Sequence, residues 1–291
     1  SVGGVAGLTK GTLQTVYNTG DVTGSGDSVG GVVGETYDAM TDAYNKGTVK
    51  GTGTASTQIG GVAGKVSSAS AKLTNVYNTG AVTGTGTPDS VGSIAGVTTA
   101  TITNAAYRTG SAASAAGGME DTNANFTNVH SYTLEQMKQA DTYKDWTDFS
   151  TNWRIYDGYT TPLLRAFLTK ITVSSTGLAT PVYNGQAQQL SAADLSYSST
   201  VDMSKVWETA QATQTNAGRY SLANMLYSSQ DGYDFTSTDV YTIAPKTITA
   251  TVTGSVTKTY DGTRDAEKLG TNYELSGLVG QDSATLTSAA G

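Results

Sequence analysis

Apolar residues in the first 120 positions occur in short alternating runs, and these runs recur. A first half-motif, Tyr-Asn-x-Gly-x-Val-x-Gly, begins at Tyr17, Tyr44 and Tyr77, and a degraded copy begins at Tyr107. A second half-motif follows each time, as in Val29-Gly30-Gly31-Val32-x-Gly34. Successive tyrosines are 27, 33 and 30 residues apart. A repeat of this size indicates an array of stacked structural units.

Each run holds only four or five residues and is rich in glycine, which disfavours a helix. We therefore predict that every repeat is a coil of short strands, and that stacked coils form a β-helix over residues 1–119. The length varies between the half-motifs, at residues 25–27, 52–57 and 85–89. Insertions at one point of a repeat predict loops on one side of the solenoid.

The repeated apolar and glycine positions have predictable roles. Val29, Ile59 and Val91 align, and stacked β-branched side chains would form a dry interior. The pair Gly30-Gly31 marks either a corner of the coil or a place of close chain approach.

The repeated tyrosines and asparagines predict two structural ladders. Stacked asparagines can hydrogen-bond to the copies above and below, as amides do in cross-β structures. The fourth copy carries Arg108 after its tyrosine, and we expect this charge to end the amide ladder. The predicted ladder residues are Tyr17, Asn18, Tyr44, Asn45, Tyr77 and Asn78.

This pair of half-motifs resembles the GLUG repeat. The resemblance covers residues 1–119 and rests on several copies that agree in register. GLUG repeats occur in large secreted bacterial surface proteins of the filamentous-haemagglutinin and adhesin type, so the resemblance implies that class of protein.

The period breaks in residues 120–168. Thr133 and Gln136 form a capping-box pattern, which predicts a short helix that ends near Lys144. An aromatic cluster follows, with Trp146, Phe149 and Trp153 as its predicted cap residues. We expect this segment to cover the open end of the last coil; an aromatic sugar-binding platform is the alternative. The segment also resembles a stretch that often follows GLUG arrays.

Two further all-β modules are expected after the cap. Short strands with turn signals at intervals of 10 to 20 residues predict a small sandwich-like module over residues 169–245. Its Val182–Gln188 stretch and its Ala217-Gly218-x-Tyr220 step resemble the MBG type of adhesin module. Lys258–Thr263 resembles the signature of the YDG module, which we place at residues 246–291 as a truncated copy. Since the chain begins and ends inside repeats or modules, we expect it to be a piece of a longer protein.

Charge and composition exclude several classes of function. The formal net charge of −7 argues against nucleic-acid binding and against adsorption to anionic membranes. The 291 residues contain no cysteine, which excludes disulfides and thiolate metal sites. No apolar run approaches the roughly 18 residues of a membrane span. Direct membrane insertion is therefore not expected.

Candidate chemistry is sparse, so we predict no catalytic residue, cofactor or metal site. His130 is the sole histidine, and the glycines of Gly24-x-Gly26 repeat with the coil instead of opening a phosphate-binding loop. Carboxylates such as Asp38, Asp42 and Asp145 do not recur in one register. Residues 231–234 and Asp239 could offer oxygen ligands to calcium, but they lack the spacing of a calcium loop.

The sequon at Asn125 is a candidate glycosylation site.

Together the resemblances imply an extracellular or cell-surface segment of a bacterial adhesin. The β-helix would be a rigid stalk, tandem β modules would extend it, and it would support cell-surface, biofilm or host adhesion. Expected partners are glycans, exopolysaccharide, a host surface or a sister chain. The alternative is a carbohydrate-active or carbohydrate-binding β-helix protein with accessory modules, and a passive spacer is a third interpretation.

Overall fold

The computed structural model describes residues 1–53, 57–85, 90–119, 125–175, 177–254, 257–263 and 273–285. The chain forms two compact units. Unit 1 comprises Ser1–Thr169 and Ser228–Asp234, and unit 2 comprises Lys170–Tyr227 and Phe235–Gly291. The predicted loops at 52–57 and 85–89 fall largely outside the described residues.

Unit 1 begins as a parallel β-solenoid, which confirms the predicted all-β, β-helical fold. Three complete turns contribute four short strands each, and partial turns follow. Strands at the same position in successive turns pair in parallel and form four sheets. The first sheet contains Val2–Gly3, Ser28–Gly30, Gln58–Gly60 and Ser90–Gly92. The second contains Ala6–Thr9, Val33–Thr36, Ala63–Val66, Ala95–Thr98 and Ala116–Met119. The third contains Leu13–Asn18, Met40–Asn45, Lys72–Asn78, Thr101–Arg108 and Phe126–Tyr132, and the fourth contains Val22–Gly24, Val49–Gly51 and Val82–Gly84.

The solenoid interior consists of stacked aliphatic side chains in register. Val29 pairs with Ile59, and Ile59 pairs with Val91. Val32, Val62 and Ile94 are fully buried one above another, joined by backbone hydrogen bonds from each N–H to the carbonyl of the next turn. This arrangement places like side chains together at the spacing of paired strands, about 4.8 Å.

Glycine is required in this motif because of close approach. Neither Gly30 nor Gly31 has a positive φ. A Cβ on Gly30 would clash with the carbonyl oxygen of Val33, and a Cβ on Gly31 would clash with the Gly61 carbonyl and the Asn45 side chain. The glycine pair and the asparagine of the same turn therefore fit each other.

The register of the fourth copy differs from the one read from the sequence. Asn78 pairs with Tyr107, and Tyr77 pairs with Ala106, so the copy is shifted by one residue. A shift of one residue changes the face that each side chain occupies. Tyr107 therefore packs against the interior cluster, and Arg108 lies one position past the amide ladder instead of ending it.

The segment after the solenoid contains less helix than predicted. Thr133 and Gln136 do exchange hydrogen bonds, with Gln136 N donating to Thr133 Oγ1 at 3.2 Å. The predicted helix to Lys144 is wrong, because this stretch forms two short 3₁₀ turns, Gln136–Lys138 and Ala140–Tyr143. The one α-helix among the described residues is the single turn Phe149–Asn152. The strands Trp153–Arg154 and Leu163–Leu164 and the 3₁₀ turn Arg165–Phe167 complete the segment.

Unit 2 is a set of short, mainly antiparallel strands. The following antiparallel pairs lie wholly within unit 2: Gln188–Gln189 with Thr213–Gln214, Trp207–Glu208 with Leu226–Tyr227, Gly218–Ser221 with Val240–Ile243, and Thr249–Val252 with Tyr273–Ser276. A three-stranded sheet contains Ser196–Tyr197, Thr169–Ser174 and Tyr233–Thr236. The 3₁₀ turns are Ala192–Asp194, Met203–Lys205, Ala210–Ala212 and Leu222–Met225. Ile171, Leu222 and Phe235 are fully buried in this unit.

None of the helices in the described ranges is long and apolar enough to cross a membrane.

Candidate functional site

The third sheet carries a column of stacked tyrosine rings. The rings of Tyr17 and Tyr44 have centroids 5.2 Å apart, and those of Tyr44 and Tyr77 are 4.7 Å apart and nearly parallel. Burial raises the pKa of Tyr44 and Tyr77 well above 10. Burial, together with a hydrogen bond to Asp231, raises the pKa of Tyr17 to about 12. These phenols stay protonated at physiological pH and act as hydrogen-bond donors.

The neighbouring asparagines form a continuous amide column. Asn18 Nδ2 donates to Asn45 Oδ1 at 2.8 Å, and Asn45 Nδ2 donates to Asn78 Oδ1 at 2.9 Å. Asn45 also donates to the carbonyl of Gly47, and both it and Asn78 are fully buried. A buried amide with every partner in place stabilises one register of the stack.

A second polar column, which the repeat of residue types does not predict, lies on the same sheet. Its members all have φ near +54°, in the left-handed region that side chains rarely adopt. Asn75 donates to Asp42 at 3.1 Å, and further bonds of 2.8–3.0 Å continue through Asn104 to Asn128. We call this the left-handed column; its residues are Thr15, Asp42, Asn75, Asn104 and Asn128. The sequence signal for this column is the asparagine or aspartate that lies two residues before a repeated tyrosine, as at Asp42 and Asn75. These residue types tolerate a left-handed backbone better than most.

The predicted cap aromatics pack beside the tyrosine column. Trp153 lies 6.1 Å from the Tyr44 ring and 5.9 Å from the Tyr77 ring, and Trp146 contacts both Trp153 and Phe149. Trp153 and Trp146 are 1% and 6% exposed, so they cannot act as a sugar-stacking platform. The aromatic cluster therefore covers the lateral tyrosine face of the third sheet, and Ala106 is buried with it.

Asp42 joins the left-handed column to this aromatic cluster. Its carboxylate is 1% exposed and accepts hydrogen bonds from Trp153 Nε1 at 2.8 Å, Asn152 Nδ2 at 2.9 Å and Asn75 Nδ2. A buried carboxylate with three donors is structural, and it is unavailable to substrate.

A distant segment, Ser228–Asp234, completes the tyrosine face. Gln230 is 5% exposed and accepts hydrogen bonds from Tyr44 Oη at 2.8 Å and Leu164 N at 2.7 Å. Tyr17 Oη donates to Asp231 at 2.7 Å. Asp234 is buried between Arg154 and Arg165, both of which pair with it. Sequence reasoning had no means to place these residues on the solenoid, since no local pattern links positions 214 residues apart.

The acidic residues considered for calcium have partners within the protein. Asp231 and Asp234 bind Tyr17 and the two arginines, and Asp239 accepts the N–H of Ser175 at 3.0 Å. No group of three or more His, Cys, Asp or Glu residues in the described part of the chain is arranged to hold a metal ion.

Unit 1 carries several open cavities. One of about 530 Å³ is lined by residues that include His130, Tyr132 and Asp145. Burial and the nearby Asp145 charge raise the pKa of Tyr132, against the opposing effect of Lys144. A second cavity of about 280 Å³ contains Lys46, whose Nζ lies 5.1 Å from the centroid of the Tyr44 ring. Asn125 is exposed just before strand Phe126–Tyr132.

The turn of the YDG-like signature is ordered by Asp261. Its carboxylate accepts hydrogen bonds from Thr263 N at 2.9 Å and Thr263 Oγ1 at 2.8 Å, and Lys258 pairs with it at 2.7 Å. Lys258, followed by the backbone and side chain of Thr263, lowers the pKa of Asp261. Gly262 has a φ of +85°, which explains glycine at this position.

Comparison with known proteins identifies one part of the chain. No curated protein and no solved structure gives a significant match. Residues 244–291 match the YDG domain. The resemblance read from Lys258–Thr263 is thereby confirmed, and this final module is similar to YDG domains.

Proposed function

We propose that this chain is a rigid stalk segment of a large secreted or surface-anchored bacterial adhesin. The observation that carries the proposal is the unbroken parallel stacking of unit 1, in which three complete turns share aliphatic, tyrosine and amide columns. The YDG match at residues 244–291 is compatible with a surface or adhesin-like role. The GLUG-like and MBG-like resemblances support the same class.

The mechanism is geometric. Each turn pairs with its neighbours through parallel backbone hydrogen bonds, and buried side-chain columns run along the same axis. Stability in such a solenoid is approximately the sum of equivalent interfaces. Unit 1 would therefore act as a stiff spacer, while the modules at 169–245 and 246–291 extend the chain. Contact with glycans, exopolysaccharide, a host surface or a sister chain would use exposed loops.

The proposed role requires no enzymatic activity. Of the acidic residues considered for catalysis, Asp42 is fully engaged in structural hydrogen bonds, and Asp38 accepts from Thr12 Oγ1 and the N–H of Ala39. Because Asp42 is 1% exposed, it cannot face an open groove together with Asp38, as the carboxylate pair of a glycoside hydrolase does.

Protease accessibility on intact source cells tests the location. We expect external protease to remove the epitope of this chain from whole cells, and we expect a deletion of residues 1–169 from the parent protein to reduce attachment under shear. A chain protected until cell lysis, or full attachment by the deletion strain, would contradict the proposal. Polysaccharide cleavage by the purified chain would instead favour the carbohydrate-active alternative.

A further inference from the structure

Lys46 departs from the repeat in the second turn. Thr19 and Thr79 occupy the corresponding positions in the neighbouring turns, and the flanking residues Asn45 and Asn78 pair directly. Lys46 is half-buried, and its backbone follows the repeat, with its N–H donating to the Asn18 carbonyl at 2.9 Å. The substitution therefore changes only the side chain, and stacking does not explain it.

The Lys46 ammonium has no acidic partner among the described residues. Its neighbour is the Tyr44 ring, over which Nζ lies at 5.1 Å. Burial lowers the pKa of Lys46 to about 8, which shows that enclosing this amine is unfavourable. A half-buried cation left unpaired in a chain of net charge −7 indicates that its counter-ion comes from outside.

The cavity around Lys46 has the composition of a ligand site. A second cation, Lys138, lines it but pairs with Glu135 at 2.9 Å, so Lys46 is the cation left for a ligand; no residue of the lining is acidic. Thr79 and Ser229 supply hydroxyl groups, while Leu134, which is 39% exposed, supplies apolar surface. The cavity volume of about 280 Å³ lies near the lower limit for small-molecule pockets.

We propose that this cavity binds a carboxylate-bearing sugar residue, such as the uronic acid of an acidic polysaccharide. The carboxylate would pair with Lys46, hydroxyl groups of the ring would bond to Thr79 and Ser229, and its C–H face would pack on the exposed side chain of Leu134. The lining offers single ammonium groups and no arginine fork, which suits a monoanionic carboxylate better than a phosphate dianion. This site does not depend on the proposed adhesin role.

Calorimetry on the full chain tests the proposal, with a galacturonic acid trisaccharide as the ligand and a galactose trisaccharide as its uncharged counterpart. The variant Lys46→Thr restores the residue of the neighbouring turns. Its matched control is Lys50→Thr, at an exposed position where Thr23 and Thr83 are the register partners. Lys46→Gln, which keeps a long side chain, is a second variant, and circular dichroism verifies that each is folded.

We expect the acidic trisaccharide to bind at least tenfold more tightly than the neutral one. Loss of a charge-assisted contact should weaken binding about 10- to 100-fold in both Lys46 variants. Lys50→Thr should bind like the unmodified chain, and added salt should weaken the acidic ligand selectively.

Several outcomes would overturn the proposal. Equal affinity for the two trisaccharides, unchanged affinity in the Lys46 variants, or no binding up to about 10 mM ligand would each do so. Tighter binding of inorganic phosphate, or equally tight and Lys46-dependent binding of a glutamate-rich peptide, would assign the cavity to a different ligand.

Discussion

Two polar columns run along the third sheet of the solenoid, and they are built differently. The asparagine column repeats one residue type, Asn18, Asn45 and Asn78, in ordinary extended backbone. The left-handed column repeats a backbone conformation instead, with φ of 53–55° at five successive positions occupied by three residue types. The residue type is therefore constant along the asparagine column, whereas the backbone conformation is constant along the left-handed column.

The columns also differ in what they connect. Asn45 bonds only within the solenoid, to neighbouring asparagines and to the Gly47 carbonyl. Asp42 holds Asn152 and Trp153 of the aromatic cluster, and Asn75 donates to the carbonyl of Thr147. The first column fixes the register between turns, whereas the second attaches the segment that covers the tyrosine face.

The largest effect is expected for Asp42→Ala. The change leaves the buried Nε1 of Trp153 and the amide of Asn152 without an acceptor and places alanine at a φ of 53°. We expect a loss of about 4 kcal/mol in the free energy of unfolding, measured by urea denaturation with tryptophan fluorescence. Asp42→Asn, which keeps an acceptor and tolerates this backbone, should lose about half as much. A smaller loss for Asp42→Ala than for Asn45→Ala would show that the left-handed column is not the main attachment.

Asn45→Asp should be the next most damaging change. The carboxylate would lose donation to Asn78 and Gly47 and would place a buried charge beside two amide oxygens. We expect a loss of about 3 kcal/mol by the same measurement. Asn18→Asp, at a half-buried position at the end of the column, should cost about 1 kcal/mol and is the matched control. Equal losses at the two positions would contradict the distinction in burial.

Alanine and glycine substitutions should have opposite rankings in the two columns. At Asn75, with φ of +53°, glycine should be about 1 kcal/mol more stable than alanine because it adopts this backbone freely. At Asn45 the ranking should invert by a similar amount, since extended backbone costs glycine more entropy. Melting temperatures of the four variants check this prediction, and the same ranking at both sites would refute a conformational basis for the second column.

Lys46→Thr should produce the smallest effect, and it should depend on pH. Because the folded-state pKa of about 8 lies below the usual 10.5, the protonated amine disfavours folding. Stability of the unmodified chain should therefore rise as pH increases from 8 towards 10. The threonine variant should be more stable than the unmodified chain by about 1 kcal/mol at pH 7. This figure is smaller than the full pKa shift would give, because the amine is partly exposed. The variant should also lack the rise in stability with pH. Denaturation curves at pH 7, 8, 9 and 10 measure the stability difference and its dependence on pH. Parallel pH profiles for the variant and the unmodified chain would contradict the prediction.

The repeat predicts the solenoid because each turn needs the same kind of residue at the same position. Val29, Ile59 and Val91 can be recognised as one column in the sequence, since each side chain faces the same interior. The fourth copy shows the limit: aligning Tyr107 with Tyr77 gives the wrong register, whereas aligning Asn104 with Asn75 gives the right one. The left-handed column could not be recognised from the repeat, because Thr15, Asp42 and Asn75 share a backbone φ angle but have different side chains.

Contacts between distant segments could not be predicted in the same way. Gln230 and Asp231 reach the tyrosine hydroxyls only after the chain has returned to unit 1 at Ser228–Asp234. Nothing in their local sequence distinguishes them from solvated turn residues. The cavity at Lys46 could not be predicted either, because its lining comes from five separate stretches of the chain. Only the replacement of threonine by Lys46 is visible in the sequence.

In each turn the second glycine of the Gly-Gly pair packs closely against the asparagine of that turn. This pairing has a consequence for how such arrays could gain or lose copies. Gly4, Gly31 and Gly61 each leave space for the asparagine of the same turn, namely Asn18, Asn45 and Asn78. In the next turn Ser93 replaces the glycine, and Tyr107 occupies the register position of the asparagine. Recombination between copies that keep both residues would preserve the fit and change only the copy number. A serine at the second glycine, paired with loss of the asparagine, would mark the final copy of such an array.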